Sequence, residues 1–226
     1  MTEFDERVAR GTTRLLETQG DALDHGAERL GWKAGFGSPA AFASLGTDRP
    51  LVGFLTKERL LPDEAVVDVS AWTKPVLEAE VAAHLAVELG PDATPAEAHA
   101  AVGGWSVAIE LADVDQAPVD VEEIVAGNIF HRHVLLGPVV PTRPEGLAFT
   151  VTCDGAEVAA TSEPEALTGE LGFVLASMAR TLSCCGAGLS AGDVVITGSV
   201  VPPVPLTSGS WVVEASGLGR ISVAVG

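Results

Sequence analysis

The sequence predicts an α+β chain with a closed or sandwiched β core, and three observations predict it. Short runs rich in β-branched and apolar residues recur between residues 51 and 161, separated by turn residues. Three more such runs, at 193–197, 210–214 and 219–225, close the chain. Between the two groups lies a long stretch with a helical apolar stripe, and another amphipathic stretch opens the chain. Many short strands with a few helices are the mark of that class.

Taken in order, residues 5–30 carry Leu15, Leu16, Leu23 and Leu30 at helical spacing among charges, which predicts one or two amphipathic helices. Residues 31–50, punctuated by Gly, Ser and Pro, are expected to be loop-rich. Strands are expected at 51–55, 65–69, 76–82, 105–111, 133–140 and 147–151. A short helix at 95–102 interrupts them, with Thr94 as N-cap and Pro95 at the first helical position. The clearest helix is expected at 164–183, where Leu167, Leu171, Val174, Leu175, Met178 and Leu182 form one stripe and Gly186 and Gly188 stop it. No internal repeat or low-complexity linker divides the chain.

Composition bounds the function. A chain of 226 residues can bury one sizeable core, with room for a small helical appendage. Its 47% hydrophobic content excludes a disordered chain, yet no apolar run approaches the roughly 18 residues a membrane helix needs. The start, Met1-Thr2-Glu3-Phe4-Asp5-Glu6, lacks a basic-then-apolar leader, so a cytoplasmic location is expected. A net charge of −18 argues against nucleic acid and anionic membrane surfaces as partners. Cys153, Cys184 and Cys185 have no metal-ligand spacing and read as reduced thiols. His25, His84, His99, His131 and His133 have no HExxH-type pattern. Gly186-x-Gly188-x-x-x-Gly192 follows a helix and precedes a strand, the reverse of a phosphate-cradling loop.

The chemistry concentrates in Pro75-Val76-Leu77-Glu78-Ala79-Glu80-Val81-Ala82. On a strand, Glu78 and Glu80 share one face, and two like charges losing hydration on that face need an offset. A divalent cation is the simplest; two ordinary surface glutamates are the alternative. Ser106-Val107-Ala108-Ile109-Glu110-Leu111-Ala112 places another carboxylate inside a second buried-strand pattern. Three carboxylates on two strands make an all-oxygen set suited to Mg²⁺ or Mn²⁺ rather than zinc. Lys33, between Trp32 and Ala34 and flanked by Gly31 and Gly35, reads either as a desolvated acid–base lysine or as a surface lysine in a turn.

Glu-Ala-Glu followed by a strand-borne Glu resembles the fumarylacetoacetate hydrolase superfamily. The nearest branch is that of the 2-hydroxypenta-2,4-dienoate hydratases and 4-oxalocrotonate decarboxylases. The resemblance extends through Gly31-Trp32-Lys33-Ala34-Gly35-Phe36-Gly37-Ser38, Gly46-Thr47-Asp48-Arg49-Pro50, Ala191-Gly192-Asp193-Val194-Val195-Ile196-Thr197-Gly198 and Gly217-Leu218-Gly219. It implies a distorted β-roll or β-barrel core over residues 51–226, with a helical N-terminal segment and active-site loop over 1–50.

It further implies a metal-dependent lyase. Mg²⁺ (or Mn²⁺) would be held by Glu78, Glu80 and Glu110 and would chelate a short oxo acid, stabilising the enolate-like charge. Lys33 would be the catalytic proton carrier. Ser38, Asp48, Asn128, Thr197 and Gly198 would contact substrate. Hydration of a 2-hydroxypenta-2,4-dienoate is the leading expectation; 4-oxalocrotonate decarboxylation, or a non-catalytic subunit keeping the fold, is the alternative. A homo-oligomer is implied, as is association with a homologous decarboxylase. The sequence departs from the branch at Leu51 and Gly127, where the branch has acids, and at Phe130, where the branch has a serine. These changes make the pocket more apolar, and Arg49 and His131 are candidates for a replacement polar role.

Overall fold

The computed structural model describes residues 3–226. The chain opens with α1 (Glu3–Asp24), a single helix that buries Val8 and Leu15. Its arginines grip α4 (Val121–Ala126): Arg7 reaches Asp120 at 2.6 Å, Arg10 reaches Glu122 at 2.9 Å, and Arg14 reaches Glu123 at 2.6 Å.

The expected loop at residues 31–50 is instead largely ordered: β1 (Arg29–Gly35) leads to α2 (Pro39–Leu45), capped by Ser38. Then come β2 (Leu51–Thr56), β3 (Leu60–Leu61), β4 (Ala65–Val67), β5 (Pro75–Leu85), α3 (Pro95–Ala100) and β6 (Val102–Asp113). Thr94 and Glu97 form the capping box that starts α3. Beyond α4 lie β7 (His131–Leu136), β8 (Phe149–Cys153) and β9 (Ala156–Thr161). The expected 164–183 helix is split into α5 (Glu165–Thr168) and α6 (Leu171–Ser183), because Gly169 at φ 80° breaks the run and the Glu170 carboxylate recaps it through the N–H groups of Gly172 and Phe173. β10 (Val194–Ser199), β11 (Val204–Pro205), β12 (Gly209–Ala215) and β13 (Gly219–Val225) finish the chain.

Two sheets form the core. The larger runs β2-β1-β10-β5-β6-β7-β3 with β11 added on β5, and curls into a half-barrel. The smaller runs β4-β13-β12-β8-β9, and β12 and β13 pack against β6. This is the β-roll expected from the resemblance. β1 lies between β2 and β10, so it belongs to the roll rather than beside it. Gly31 permits this: a Cβ there would sit 2.0 Å from the Val194 carbonyl oxygen on β10. Trp32 and Arg29 fasten the same edge, both reaching the buried Asp193 carboxylate, at 3.2 and 2.5 Å. Among the described residues, no helix is long and apolar enough to cross a membrane.

Candidate active site

β5 and β6 are antiparallel neighbours in the middle of the larger sheet, and their register sets Glu78 directly opposite Glu110. Glu80 lies two residues along the same face. One carboxylate oxygen from each of the three lies within 4.8 Å of the others. Glu80 and Glu110 are fully buried and Glu78 half-buried. Cross-strand like charges on a desolvated face are destabilising unless compensated.

Lys33, on β1, supplies part of the compensation. It is only 1% exposed, and its ammonium pairs with Glu110 Oε1 and donates to the Ile129 carbonyl at 3.1 Å. Gly53 on β2 makes room for it, since a Cβ there would fall 2.9 Å from Lys33 Cγ and 2.6 Å from Asn128 Oδ1. His131 Nδ1 stands 2.8 Å from that same Glu110 oxygen. Burial pushes the His131 imidazole down against the opposing pull of Glu110, which leaves a neutral ring with its Nδ1–H donating.

Ile129 and His131 are delivered by an unusual turn. Asn128, Ile129 and Phe130 have φ of 55°, 49° and 63°, three successive non-glycine residues in the left-handed region. That conformation costs about 1–2 kcal/mol per residue. The Asn128 amide holds the turn, accepting from the Phe54 N–H at 2.8 Å and donating to the Phe54 carbonyl at 3.0 Å. Ile129 and Phe130 are buried behind it.

The carboxylates respond unequally. Burial, followed by the Glu110 charge, raises Glu78 to about 7 against the pull of Lys33. Burial raises Glu80 well above the ordinary range, and the charges of Glu110 and Glu78 add to that. Glu110 is also pushed up by burial, but Lys33 and the His131 hydrogen bond outweigh this and hold it below the usual value. Glu110 is thus the member of the trio that its surroundings favour as a carboxylate, while burial favours the protonated form of Glu80 and, less strongly, of Glu78.

A cavity of about 640 Å³ opens above Glu78 and Lys33. Its walls include Phe36, Ser38, Val76, Ala112, Phe130, Gly198 and the proline-rich segment that follows β10. The structure therefore brings together Lys33, Glu78, Glu80, Glu110, Ser38 and Gly198, but it corrects several expected roles. Asn128 does not face the cavity; both ends of its amide are committed to Phe54. The Thr197 hydroxyl donates to the Val81 carbonyl at 3.0 Å, and the Gly198 N–H donates to Glu80 Oε2 at 2.7 Å, so neither is free for a substrate carboxylate. Asp48 is outside the lining, with a side chain 88% exposed beside Arg49. Arg49 pairs with Asp5 on α1. Ser38 Oγ accepts from the Ala41 N–H at 3.1 Å while remaining in the wall. Of the two replacement candidates, His131 is at the carboxylate cluster and Arg49 is not. No ligand spacing in the sequence marks His131; the cross-strand register and the left-handed turn bring it there.

The trio fits a hard divalent cation. Glu80 Oε1 and Glu110 Oε2 are buried and have no hydrogen-bond partner among the described residues. Unsatisfied carboxylate oxygens in a dry site are costly, and they are the donors that Mg²⁺ or Mn²⁺ takes.

Comparison with known proteins agrees with this geometry. The fumarylacetoacetate (FAA) hydrolase C-terminal family matches residues 34–226. The chain belongs to this family. Among curated members of the superfamily, a 4-oxalocrotonate decarboxylase from a Pseudomonas species is 27% identical over 221 residues, spanning 96% of this chain and 85% of that one. The 2-keto-4-pentenoate hydratase of Burkholderia vietnamiensis is 30% identical over 205 residues, spanning 87% and 78%. Among solved structures, 4-oxalocrotonate decarboxylase from Pseudomonas putida G7, complexed with magnesium and adipate, superposes with a TM-score of 0.85 at 26% identity, covering 93% of this chain and 82% of that one. The family match begins one residue after Lys33, so assignment of the lysine rests on geometry.

Proposed function

We propose that this FAA hydrolase family protein is a divalent-metal-dependent lyase acting on a short 2-oxo or 2-hydroxydienoic acid, with hydration of a 2-hydroxypenta-2,4-dienoate-type substrate as its reaction. The observation that carries the reading is the trio Glu78, Glu80 and Glu110, with two buried unpartnered oxygens, set beside Lys33 at the base of an open cavity. The hydratase and decarboxylase names of its relatives support the same class.

Glu78, Glu80 and Glu110 would hold the cation, Mg²⁺ in the first instance. Such an ion supplies Lewis-acid stabilisation of the negative charge that develops next to the carbonyl. Lys33 Nζ, fixed by Glu110 and the Ile129 carbonyl at the cavity wall, would move a proton to or from carbon. His131 keeps Glu110 turned so that one oxygen faces the ammonium while the other stays open. Ser38 Oγ–H offers a donor to the substrate carboxylate from the wall. The burial of Glu80, Glu110 and Lys33 keeps bulk water from competing for these contacts.

Turnover of 2-hydroxypenta-2,4-dienoate with and without Mg²⁺, followed by NMR, tests the reading. Hydrated product from the wild type, lost on chelation and in Glu80→Gln, is the expected result. Absence of product with metal present would remove the hydratase assignment. A second reading, decarboxylation of a 4-oxalocrotonate-type acid, is favoured by the likeness to the decarboxylase structure, and release of CO₂ from that substrate would establish it instead.

A further inference from the structure

The face of the β5–β6 ladder that carries the carboxylates continues towards the cavity mouth as a series of opposed pairs. Glu78 stands opposite Glu110, then Val76 opposite Ala112; beyond them the Val114 N–H donates to the Lys74 carbonyl at 3.0 Å. All of Glu78, Val76, Ala112, Lys74 and Val114 line the cavity. Successive pairs on one face are about 7 Å apart. The floor therefore changes from carboxylate to apolar in one step, and reaches an exposed lysine only at the step after that.

The Val76–Ala112 step has no polar partner to offer. Both residues are buried, at 5% and 3% exposure. Pro205 pairs with Val76 in register, and Pro202 and Pro203 extend the same wall; none of the three has an N–H to donate. The Ser199 hydroxyl is committed to the Val201 carbonyl at 2.6 Å and the Thr168 hydroxyl to the Gly169 carbonyl at 3.0 Å. Phe130, turned inwards by its left-handed backbone, adds an aromatic surface. At about 640 Å³ the cavity is within the range that holds drug-sized ligands and exceeds what a five-carbon acid fills.

We propose that the cavity selects monocarboxylic 2-oxo (or 2-hydroxydienoic) acids of more than five carbons with an apolar tail, and discriminates against a six-carbon diacid, because Val76 opposite Ala112 occupies the step next to Glu78 and Glu110. This rests on the head-group reading under Proposed function. With its head at the glutamates, a six-carbon 2-oxo diacid sets its far carboxylate at the Val76–Ala112 step, where it loses water and gains no donor. An alkyl or aryl tail gains burial there instead, at about fourfold in affinity for each methylene covered.

The test is calorimetric binding of pyruvate, 2-oxohexanoate and 2-oxoadipate to the wild type in Mg²⁺, with Val76→Lys and Lys74→Met alongside. The expected result is binding of pyruvate, binding of 2-oxohexanoate tighter than pyruvate by roughly 50-fold, and a preference of at least about tenfold for 2-oxohexanoate over 2-oxoadipate. Val76→Lys should reverse the last ratio, and Lys74→Met should leave it unchanged. If pyruvate binds but 2-oxoadipate equals or exceeds 2-oxohexanoate, the proposal is overturned and the head-group reading stands. Collapse of a wild-type 2-oxoadipate preference in Lys74→Met would identify the rim lysine as the selecting group. If none of the three binds with metal present, both readings fall together.

Discussion

Glu78 and Glu110 face each other in register across the β5–β6 ladder, on a face that closes onto the buried Glu80. Directly opposed like charges weaken a sheet pair, and desolvation adds to the cost. Lys33 and His131 pair directly with only one member, since both converge on a single oxygen of Glu110. Of the remaining oxygens, Glu80 Oε1 and Glu110 Oε2 are buried with no hydrogen-bond partner among the described residues.

The two fully buried glutamates should therefore differ when neutralised. Glu80→Gln removes a carboxyl group that burial already holds protonated, and its amide oxygen can keep the Gly198 N–H. Its metal-free stability should match or exceed the wild type. Glu110→Gln leaves the Lys33 ammonium buried without its counter-ion and should cost about 3–5 kcal/mol. Urea unfolding of both variants in chelator measures the difference.

Stability should also depend on pH through Glu78. Its pKa rises from the ordinary 4.5 to about 7 on folding, so the native state holds the proton more tightly than the unfolded chain does. The resulting stabilisation is fully present below about pH 4.5 and is lost as pH rises through about 7. Metal affinity should rise over the same interval, because cation and proton compete for the same carboxylate. Thermal melts of wild type and Glu78→Gln from pH 5 to 8, with and without Mg²⁺, should show a shallower pH dependence in the variant, the residual slope coming from Glu80, which burial also raises.

Lys33→Met should abolish turnover while retaining the metal. It should also destabilise the metal-free protein by about 3–5 kcal/mol, because the buried Glu110 loses its counter-ion. A divalent cation can take over that role, so Mg²⁺ should raise the melting temperature more in Lys33→Met than in the wild type. Equal Mg²⁺ shifts in the two proteins would mean that cation and ammonium do not share Glu110.

Asn128→Ala should act on the fold rather than on substrate recognition. It removes both bonds to the Phe54 backbone and releases a left-handed turn whose conformation is unfavourable by itself. A loss of about 2 kcal/mol is expected. The displaced Ile129 carbonyl should lower kcat through Lys33, with KM nearly unchanged. A rise in KM at unchanged stability would restore Asn128 to the substrate-binding role its sequence position suggests.

The carboxylates were legible because a strand's alternation is visible in the chain: Glu78 and Glu80 interrupt an apolar run at a spacing that has meaning only on a strand, and Glu110 repeats the pattern. The strand carrying Lys33 was not, because Gly31 and Gly35 read as loop residues; the close approach of Gly31 to Val194 is a tertiary requirement. β9 was missed because Ala156-Glu157-Val158-Ala159-Ala160-Thr161 lies mostly exposed at a sheet edge and lacks an apolar alternation. Asn128 and Thr197 misled for a related reason. A polar side chain near a loop looks free in one dimension, whereas its partners here, Phe54 and Val81, are backbone groups from other strands. The left-handed turn had no signal at all, since an Asn-Ile-Phe sequence places a β-branched residue where the backbone ordinarily excludes one.

The most direct measurement is a Mn²⁺ titration of the metal-free protein followed by electron paramagnetic resonance, with Glu80→Gln and Glu110→Gln as comparisons. The account predicts a single saturable Mn²⁺ site per chain that Mg²⁺ displaces and that either substitution weakens at least tenfold while the chain stays folded. Absence of saturable binding, or binding indifferent to both substitutions, would contradict the assignment of Glu78, Glu80 and Glu110 as a metal centre.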